Sequence, residues 1–246
     1  MAKRILIAIG AVFLLVIGGF IAWASITRPI LPTAQAALES DELVQVMEMD
    51  GGWLVFTPAG SQPETGLVFY PGGRVDYRAY APYARAIAAQ GYQVVIVKMP
   101  LNMAVFNSGA ARDVLRAFPA VQNWAVGGHS LGGSMAASYA ARYPGADGLV
   151  LLASYPASSE SLAALALPTV SIYGTNDGLS TGAEIDAARS LLPEDTVYVA
   201  IEGGNHAQFG DYGVQQGDGP AAIDHAEQQA QAVEATIALL ERISGE

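Results

Sequence analysis

Residues 125–133 read AVGGHSLGG, a short apolar run that ends in glycines just before a helix-forming segment at 134–143. The run contains the pattern Gly-x-Ser-x-Gly, with Ser130 at its centre. On a sharp turn from a strand into a helix, this pattern holds a serine in a strained conformation and lifts its hydroxyl clear of the sheet. Gly128 and Gly132 are expected because a Cβ would collide where the turn folds back. Since the chain has 27 glycines, the pattern is weak by itself, and the alternative is an ordinary helix-capping serine.

The composition is that of an acidic globular protein with one or at most two domains. Of its 246 residues, 52 % are hydrophobic and 14 % are charged, which excludes a disordered chain and a coiled coil. The net charge of −11 would repel phosphate backbones, so we expect no nucleic-acid partner. Cysteine is absent, which excludes disulfides, thiolate zinc sites and a cysteine nucleophile. No pair of histidines has metal-ligand spacing, so neither a metal nor a cofactor is expected.

Residues 1–27 are predicted to form a membrane anchor. Lys3 and Arg4 precede an uncharged run, residues 5–26, that is long enough to span a bilayer as a helix. Trp23 near the far end suits the membrane interface, and the two basic residues place the N-terminus in the cytoplasm. The rest of the chain would then lie outside the cytoplasm and be held at the membrane by this helix.

The same run has two other interpretations. It could be a secretory signal that is cleaved after the small-x-small triplet Ala22-Trp23-Ala24, which would leave a secreted protein. It could also be a buried helix of the domain, although no polar face occurs in the run. Residues 28–42, which contain Pro29 and Pro32 and show no periodicity, are predicted to be a linker.

Residues 43–246 alternate between short apolar runs and amphipathic segments, which predicts one α/β domain. The first two strands flank Asp50-Gly51-Gly52 and form a hairpin. The later alternation implies a mostly parallel eight-stranded sheet with helices on both faces and the hairpin as its antiparallel edge. The predicted strands are residues 43–49, 53–57, 66–70, 94–97, 124–126, 148–153, 170–173 and 196–201. The predicted helices are residues 79–90, 110–118, 134–143, 181–192 and one that follows 219–220.

Four loops with reactive or flexible residues follow strands of this predicted sheet. In a parallel sheet the carboxyl ends of the strands meet at one edge, and ligands bind there. We therefore expect the four loops to converge on one site. They contain residues 71–73, Ser130, Asp177 and His206.

The polar residues of these loops match the needs of a serine nucleophile. A serine hydroxyl needs a nearby base, usually a histidine, and that histidine needs a carboxylate to hold its tautomer and stabilise its cation. His206 is predicted to be the base and Asp177 the carboxylate, although Asp177 could merely cap an Asn-Asp-Gly turn. Neighbours on a sharp turn point apart, so we expect His129 to pack or to form a supporting hydrogen bond.

The Gly-Gly-His-Ser-Leu-Gly-Gly elbow and the chain order Ser130, Asp177, His206 resemble the α/β-hydrolase superfamily over residues 43–246. The resemblance implies an elbow after the fifth strand, an acid after the seventh and a histidine after the eighth. Within the superfamily, the chain is similar to the small, lidless branch of dienelactone hydrolases and simple carboxylesterases. The dienelactone type carries cysteine where this chain has Ser130.

The same family pattern predicts an oxyanion hole. Its first donor is the backbone N–H of Leu131, the residue after the nucleophile, and its second donor comes from the loop after the third strand. Gly73 is the preferred second donor and Arg74 the alternative, because the family often has His-Gly where this chain has Pro71-Gly72.

The loop at 99–106 leaves a strand at the same edge and carries apolar side chains. They could form an acyl or aromatic substrate pocket, or they could pack over the sheet. The connection from 153 to 170 is too short for the helical lid that many lipases insert there, so we expect a shallow, open site. The predicted pocket residues are Met99, Leu101, Met103 and Phe106.

Together these features predict a serine hydrolase that acts on carboxylic esters through a Ser-His-Asp triad and an acyl-enzyme. Its partner would be a small-molecule ester or another acyl substrate. A thioesterase, a short-peptide hydrolase or an acyltransferase would use the same triad, because all of them share acyl chemistry. A hydrolase-like protein that binds a ligand without turnover is the alternative from another functional class.

Overall fold

The computed structural model describes residues 2–245, apart from the side chains of residues 2, 3, 5 and 8. Met1 and Glu246, the first residue of the predicted anchor and the last of the predicted domain, lie outside the described residues, as does the side chain of Lys3. The strands are β1 (Val44–Met49), β2 (Trp53–Pro58), β3 (Thr65–Tyr70), β4 (Gln93–Val97), β5 (Asn123–His129), β6 (Gly148–Leu152), β7 (Thr169–Gly174) and β8 (Val197–Ile201). The α-helices are α1 (Ala2–Ser25), α2 (Pro32–Ala36), α3 (Ala81–Ala88), α4 (Ala111–Ala117), α5 (Leu131–Arg142), α6 (Gly182–Ala188) and α7 (His225–Ser244).

The strands form one eight-stranded sheet in the order β1-β2-β4-β3-β5-β6-β7-β8. The sheet is mixed, because β2 pairs antiparallel with both β1 and β4, whereas the remaining neighbours are parallel. The hairpin therefore lies at the edge of the sheet and most neighbouring strands are parallel, as the sequence predicts, while the antiparallel pair of β2 and β4 makes the sheet mixed. The hairpin turn reverses the chain once, so β1 runs with the other strands and only β2 of the described strands runs against them.

The central strands are buried on both faces and separate two core layers. In β3, Leu67 and Phe69 belong to one layer, and Val68 and Tyr70 belong to the other. Alternation of side chains along a strand produces this division. Residues of α3 and α7 complete the first layer, and residues of α4 and α5 complete the second. The helices therefore cover both faces of the sheet, as the sequence predicts.

The N-terminal segment departs from its prediction. The predicted transmembrane helix is not found, since no helix within the described residues is long and apolar enough to cross a membrane. The predicted linker, residues 28–42, contains α2, in which Pro32 begins the helix because the first helical residue needs no N–H. Ala34 of α2 is fully buried, and the N–H of Leu31 donates to the carbonyl oxygen of Asp211, 2.8 Å away. This segment is therefore packed on the domain.

The sheet brings the predicted loops to one edge. The chain leaves β3 before Gly73, β5 before Ser130, β7 before Asp177 and β8 before His206, and these four strands run parallel. Between β6 and β7, residues 153–168 contain no helix. The short connection between these strands thus forms no helical lid, as its length predicts.

Candidate active site

Ser130 occupies the turn between β5 and α5. Its backbone has φ 52° and ψ −124°, a conformation that is strained for a residue with a side chain. The turn is held by the end of β6: the N–H of Ser130 donates to the carbonyl oxygen of Leu152, 3.0 Å away. The carbonyl oxygen of Ser130 accepts a hydrogen bond from Ser154 Oγ at 2.7 Å. The neighbouring strand thus stabilises a strained backbone whose side chain stays partly exposed.

Two glycines allow the turn to pack against the end of β3. A Cβ on Gly132 would lie 2.1 Å from the carbonyl oxygen of Tyr70, and a Cβ on Gly128 would lie 2.5 Å from the same atom. Real Cβ atoms do not approach backbone oxygens so closely. The absence of side chains at these two positions therefore brings the loop after β3 against the elbow that carries Ser130.

Asp177 and His206 form a buried pair beside this elbow. Asp177 Oδ2 lies 2.8 Å from His206 Nδ1, and the two residues are 5 % and 1 % exposed. Asp177 Oδ1 accepts hydrogen bonds from the N–H groups of Leu179 and Ser180, both at 2.7 Å. These bonds orient the carboxylate, so its second oxygen faces the imidazole. A carboxylate accepts a hydrogen bond from Nδ1–H, so the proton of the neutral imidazole stays on Nδ1 and Nε2 of His206 is the basic nitrogen.

His206 Nε2 is buried and has no hydrogen-bond partner in the described part of the chain. The ring of His206 lies 4.5 Å from the ring of His129, the residue before Ser130. The basic nitrogen therefore lies next to the elbow without a hydrogen bond to Ser130 Oγ in this structure. Such bonds are commonly long or poorly aligned before substrate binds.

Asp218 is a site residue that the sequence analysis missed. Its Oδ1 accepts hydrogen bonds from the N–H groups of His206 and Gly178, both at 3.2 Å. Its Oδ2 accepts from the N–H of Ala207 at 2.8 Å. One carboxylate thus ties the loop after β7 to the loop after β8. The sequence shows only a Gly-Asp-Gly-Pro turn at this position, and such turns occur in many surface loops.

The structure separates the two candidate second donors of the oxyanion hole. The N–H of Arg74 donates to the carbonyl oxygen of Asn102 at 2.7 Å, and the N–H of Gly72 donates to Tyr80 Oη at 3.0 Å. Within the described residues, the N–H groups of Gly73 and Leu131 have no such acceptor. A Cβ on Gly73 would lie 3.1 Å from a side-chain carbon of Leu131, so the two residues are in contact. Gly73 and Leu131 are therefore the pair whose N–H groups are free for an oxyanion.

His129 lies in a buried hydrogen-bonded network behind the elbow. Its Nδ1 is 2.8 Å from Tyr80 Oη, which also accepts from Gly72. Burial raises the pKa of Tyr80 above its ordinary value, so the phenol stays protonated and donates to Nδ1. Burial and the neighbouring His206 hold the pKa of His129 well below its ordinary value. His129 is therefore neutral, and it links the loop of Gly72 to the elbow, which agrees with the predicted supporting hydrogen bond.

The predicted pocket loop divides between the core and the surface. Met99 is 4 % exposed and packs in the core layer of α4 and α5, whereas Leu101 and Met103 are partly buried. Phe106 is 50 % exposed and lies in a short 3-10 turn, Ala104–Phe106. Phe106 is the most accessible of the four, and Met99 contributes to packing because it continues the buried pattern of β4.

Comparisons with known proteins agree with this architecture. The sequence profile of the alpha/beta hydrolase family matches residues 66–230. The structure is similar to the crystal structure of the esterase domain of a Rhodothermus marinus protein, with a TM-score of 0.57 and 13 % identity over 80 % of this chain and 97 % of that one. It is also similar to a predicted CIB-like hydrolase from Thermoplasma acidophilum, with a TM-score of 0.57 and 18 % identity over 78 % and 96 % of the two chains.

At these identities the two structures support the fold only, and no curated protein matches the chain significantly. The profile match covers well over half of the chain and includes the elbow, Asp177 and His206. The chain belongs to the alpha/beta hydrolase family.

Proposed function

We propose that this hydrolase is a serine carboxylesterase in which Ser130 is the nucleophile, His206 the base and Asp177 the orienting acid. The observation that carries the proposal is the buried pair of Asp177 and His206, joined at 2.8 Å. The Nε2 of His206 lies beside the serine elbow and has no hydrogen-bond partner among the described residues. A buried polar nitrogen without a partner is costly for stability. A serine hydroxyl or a substrate proton would provide the partner that it lacks.

The first half of the proposed reaction forms an acyl-enzyme. Ser130 Oγ attacks the acyl carbon of the ester while His206 Nε2 takes the hydroxyl proton, and Asp177 stabilises the imidazolium that results. The carbonyl oxygen becomes an oxyanion that accepts hydrogen bonds from the free N–H groups of Leu131 and Gly73. Each such donor typically contributes on the order of 3 kcal/mol to transition-state stabilisation. Collapse breaks the ester C–O bond, and His206 gives its proton to the departing alcohol.

The second half hydrolyses the acyl-enzyme. Water loses a proton to His206 Nε2 and attacks the acyl carbon, and the same two N–H groups stabilise the oxyanion. Collapse returns the proton to Ser130 Oγ and releases the carboxylic acid. The proposed chemistry requires no metal and no cofactor.

Fluorophosphonate labelling of the full chain tests the nucleophile. We expect one covalent adduct on Ser130, found by mass spectrometry of proteolytic peptides, and no adduct in Ser130→Ala. Ser134→Ala is the matched control, because Ser134 lies one helical turn further along α5 and its N–H only donates to the Ser130 carbonyl at 3.1 Å. The control should label and turn over esters like the parent.

An unlabelled parent that turns over no ester would refute the proposal in favour of a non-catalytic binding protein. Ester turnover by Ser130→Ala at the parental rate would refute Ser130 as the nucleophile. A panel of matched esters, thioesters and amides then tests the preference for esters. The same triad also serves thioesterases, short-peptide hydrolases and acyltransferases. We expect the highest kcat/KM for the esters, and a higher value for thioesters or amides would overturn the carboxylesterase assignment.

We propose further that the domain acts outside the cytoplasm. The basic pair Lys3-Arg4 before the uncharged run at 5–26 is typical of an export signal and supports this location. Protease treatment of intact and lysed cells checks the location, and N-terminal sequencing of the exported protein shows whether the run is retained. A domain that the protease digests only after lysis, and not in intact cells, would contradict the proposal.

A further inference from the structure

The end of α1 is bound to the loops beside the candidate active site. Arg74 donates from Nε to the carbonyl oxygen of Trp23 at 3.2 Å and from Nη2 to that of Ile26 at 3.5 Å. Asn102 Nδ2 donates to the carbonyl oxygen of Ala24 at 3.1 Å, and Ala24 is fully buried. The last carbonyl groups of a helix lack intrahelical partners. Two side chains of the domain therefore cap the end of α1.

Arg74 connects this helix end to the oxyanion loop. It follows Gly73 directly, and its own N–H donates to the carbonyl oxygen of Asn102 at 2.7 Å. Its guanidinium carbon lies 4.0 Å from the centre of the Trp23 ring. A cation at the C-terminal end of a helix is stabilised by the partial negative charge there, and stacking on an aromatic face adds to the attraction. The guanidinium of Arg74 thus interacts with the end of α1 and with the Trp23 ring. The side chains around Trp23 form an apolar surface.

Three aromatic side chains form that surface, which we call the aromatic wall: Phe20, Trp23 and Phe106. The ring of Phe20 lies 6.0 Å from that of Trp23 and 6.3 Å, edge to face, from that of Phe106. The three residues are 41 %, 48 % and 50 % exposed. The turn that carries Phe106 also packs against α5, the helix that begins directly after Ser130. The wall therefore borders both the oxyanion loop and the nucleophile helix.

The position of the wall relates it to one part of an ester. His206 gives its proton to the departing alcohol, so the alcohol part of the substrate points toward His206. The wall instead contacts Arg74, the residue after the proposed oxyanion donor Gly73, through Trp23, and the turn of Phe106 packs against α5. The acyl chain leaves the reacting carbon on the side away from the departing alcohol. An apolar acyl chain would cover the exposed rings and would gain from removing both surfaces from water.

We propose that the aromatic wall binds the acyl chain of the substrate, so that the enzyme prefers esters of medium-chain or long-chain carboxylic acids. This inference rests on the proposed function and names its substrate class. It also gives α1 a role in the site: its last two turns supply two of the three rings. The short connection between β6 and β7 provides no helical lid, and the N-terminal helix contributes apolar surface beside the site in its place.

A series of p-nitrophenyl esters from acetate to decanoate tests the wall, because only the acyl part changes along the series. For decanoate we expect kcat/KM of the full chain to fall about tenfold in Phe20→Ala and in Phe106→Ala, as expected for the loss of one aromatic contact. For acetate the same variants should stay within about twofold of the parent. Phe13→Ala is the matched control: Phe13 lies on the same helix, is 63 % exposed and has no ring contact within the described residues. Its profile should equal that of the parent.

Binding of sodium decanoate to the full-length Ser130→Ala protein separates the wall from the chemistry. Adding Phe20→Ala or Phe106→Ala to Ser130→Ala should weaken decanoate binding about tenfold by calorimetry, whereas adding Phe13→Ala should leave it unchanged. Equal decanoate affinity in all four proteins would overturn the proposed role of the aromatic wall. An equal loss of kcat/KM for the acetate and decanoate esters would overturn it as well. Weaker binding together with normal turnover by Ser130→Ala would instead overturn the proposed nucleophile and leave the wall standing.

Discussion

The candidate active site and the aromatic wall are built in different ways. In the candidate active site, Asp177 and His206 are 5 % and 1 % exposed, and backbone N–H groups hold the carboxylate in place. At the wall, the three rings are between 41 % and 50 % exposed, and the ring of Phe20 contacts those of Trp23 and Phe106. A buried carboxylate whose oxygens accept several hydrogen bonds keeps one geometry, whereas exposed side chains change rotamer readily. The comparison teaches that the proposed catalytic pair is held rigidly, whereas the proposed acyl-binding surface is adaptable.

Removal of the charge that orients His206 should produce the largest effect. We expect Asp177→Asn to lower kcat about 10⁴-fold, because the amide stabilises the wrong imidazole tautomer and no longer stabilises the imidazolium. Asp147→Asn is the matched control: Asp147 Oδ2 accepts from the N–H of Trp124 at 2.8 Å, at the opposite end of β5. Steady-state kinetics on the best ester measures both variants. An Asp177→Asn enzyme with more than a tenth of the parental kcat would contradict the proposal that Asp177 orients His206.

Steric rigidity at the elbow is tested by Gly132→Ala. The new Cβ would meet the carbonyl oxygen of Tyr70 at 2.1 Å, and we expect a loss of at least about 3 kcal/mol in the free energy of unfolding. Gly182→Ala serves as the control, because its Cβ would lie no nearer than 3.7 Å to the side chain of Tyr173. We expect it to be neutral or stabilising by up to about 1 kcal/mol. Urea unfolding measures the stability of both variants. Equal midpoints would show that the backbone of the elbow shifts to accommodate the new Cβ at little cost in free energy.

The network behind the elbow is tested by Tyr80→Phe. The change leaves the N–H of Gly72 and Nδ1 of His129 without their partner, so we expect a loss of about 1–3 kcal/mol in the free energy of unfolding. Because Gly72 precedes Gly73, the proposed second oxyanion donor, we expect kcat also to fall about tenfold with little change in KM.

Tyr83→Phe separates these two effects. Tyr83 is also buried, and its hydroxyl contacts Thr236 Oγ1 at 2.6 Å away from the catalytic loops. It should cost a comparable free energy of unfolding and leave kcat unchanged. If both variants lose kcat equally, the loss reflects general destabilisation and the network has no special role.

The smallest predicted effect is a pH dependence of stability that comes from His129. Its folded pKa is lowered by burial and by His206, whereas in the unfolded chain it is near the ordinary value of about 6.5. Below that pH the unfolded state binds a proton that the folded state does not. The stability contribution is therefore full above about pH 6.5 and declines as the pH falls, by at most about 1.4 kcal/mol per pH unit.

Urea unfolding of the parent and His129→Gln between pH 7.5 and pH 5.5 measures this contribution as the difference between their slopes. Other groups titrate in both proteins and cancel in that difference. We expect the variant to be less stable at pH 7.5 and to lose less stability on acidification. Parallel pH profiles for the two proteins would show that folding does not lower the pKa of His129.

The elements of the domain were predictable because their signals are local. Four consecutive β-branched residues at 94–97 predict a strand buried on both faces, and Gly128 and Gly132 around Ser130 predict a tight turn. The correct order of strands and helices then places the loops of Asp177 and His206 at one edge. The pairing of β2 with β4 was not predicted, because a hairpin signal describes two neighbouring strands and not the strand that joins them from another part of the chain.

Contacts between distant segments were not predictable. Asp218 holds the N–H of His206 through a bond between two loops, and Tyr80 reaches His129 across 49 positions of the chain. Neither residue has a pattern around it that differs from an ordinary turn or helix. The end of α1 is capped by Arg74 and Asn102, although the apolar run at 5–26 by itself predicts only a long helix.

By itself, the sequence determined the elbow, the fold class and the three residues proposed for catalysis. The elbow and the fold class follow from backbone sterics and hydrophobic periodicity, which act over a few neighbouring residues. The three residues follow from the order in which their loops occur along the chain. Only the tertiary structure decided that Gly73, and not Arg74, has a free N–H, because the N–H of Arg74 is taken by Asn102. It also decided that Phe20, which contacts Trp23 on the same helix, lies beside Phe106. Such contacts depend on how separate segments pack, and the free energy of that packing is spread over the whole core.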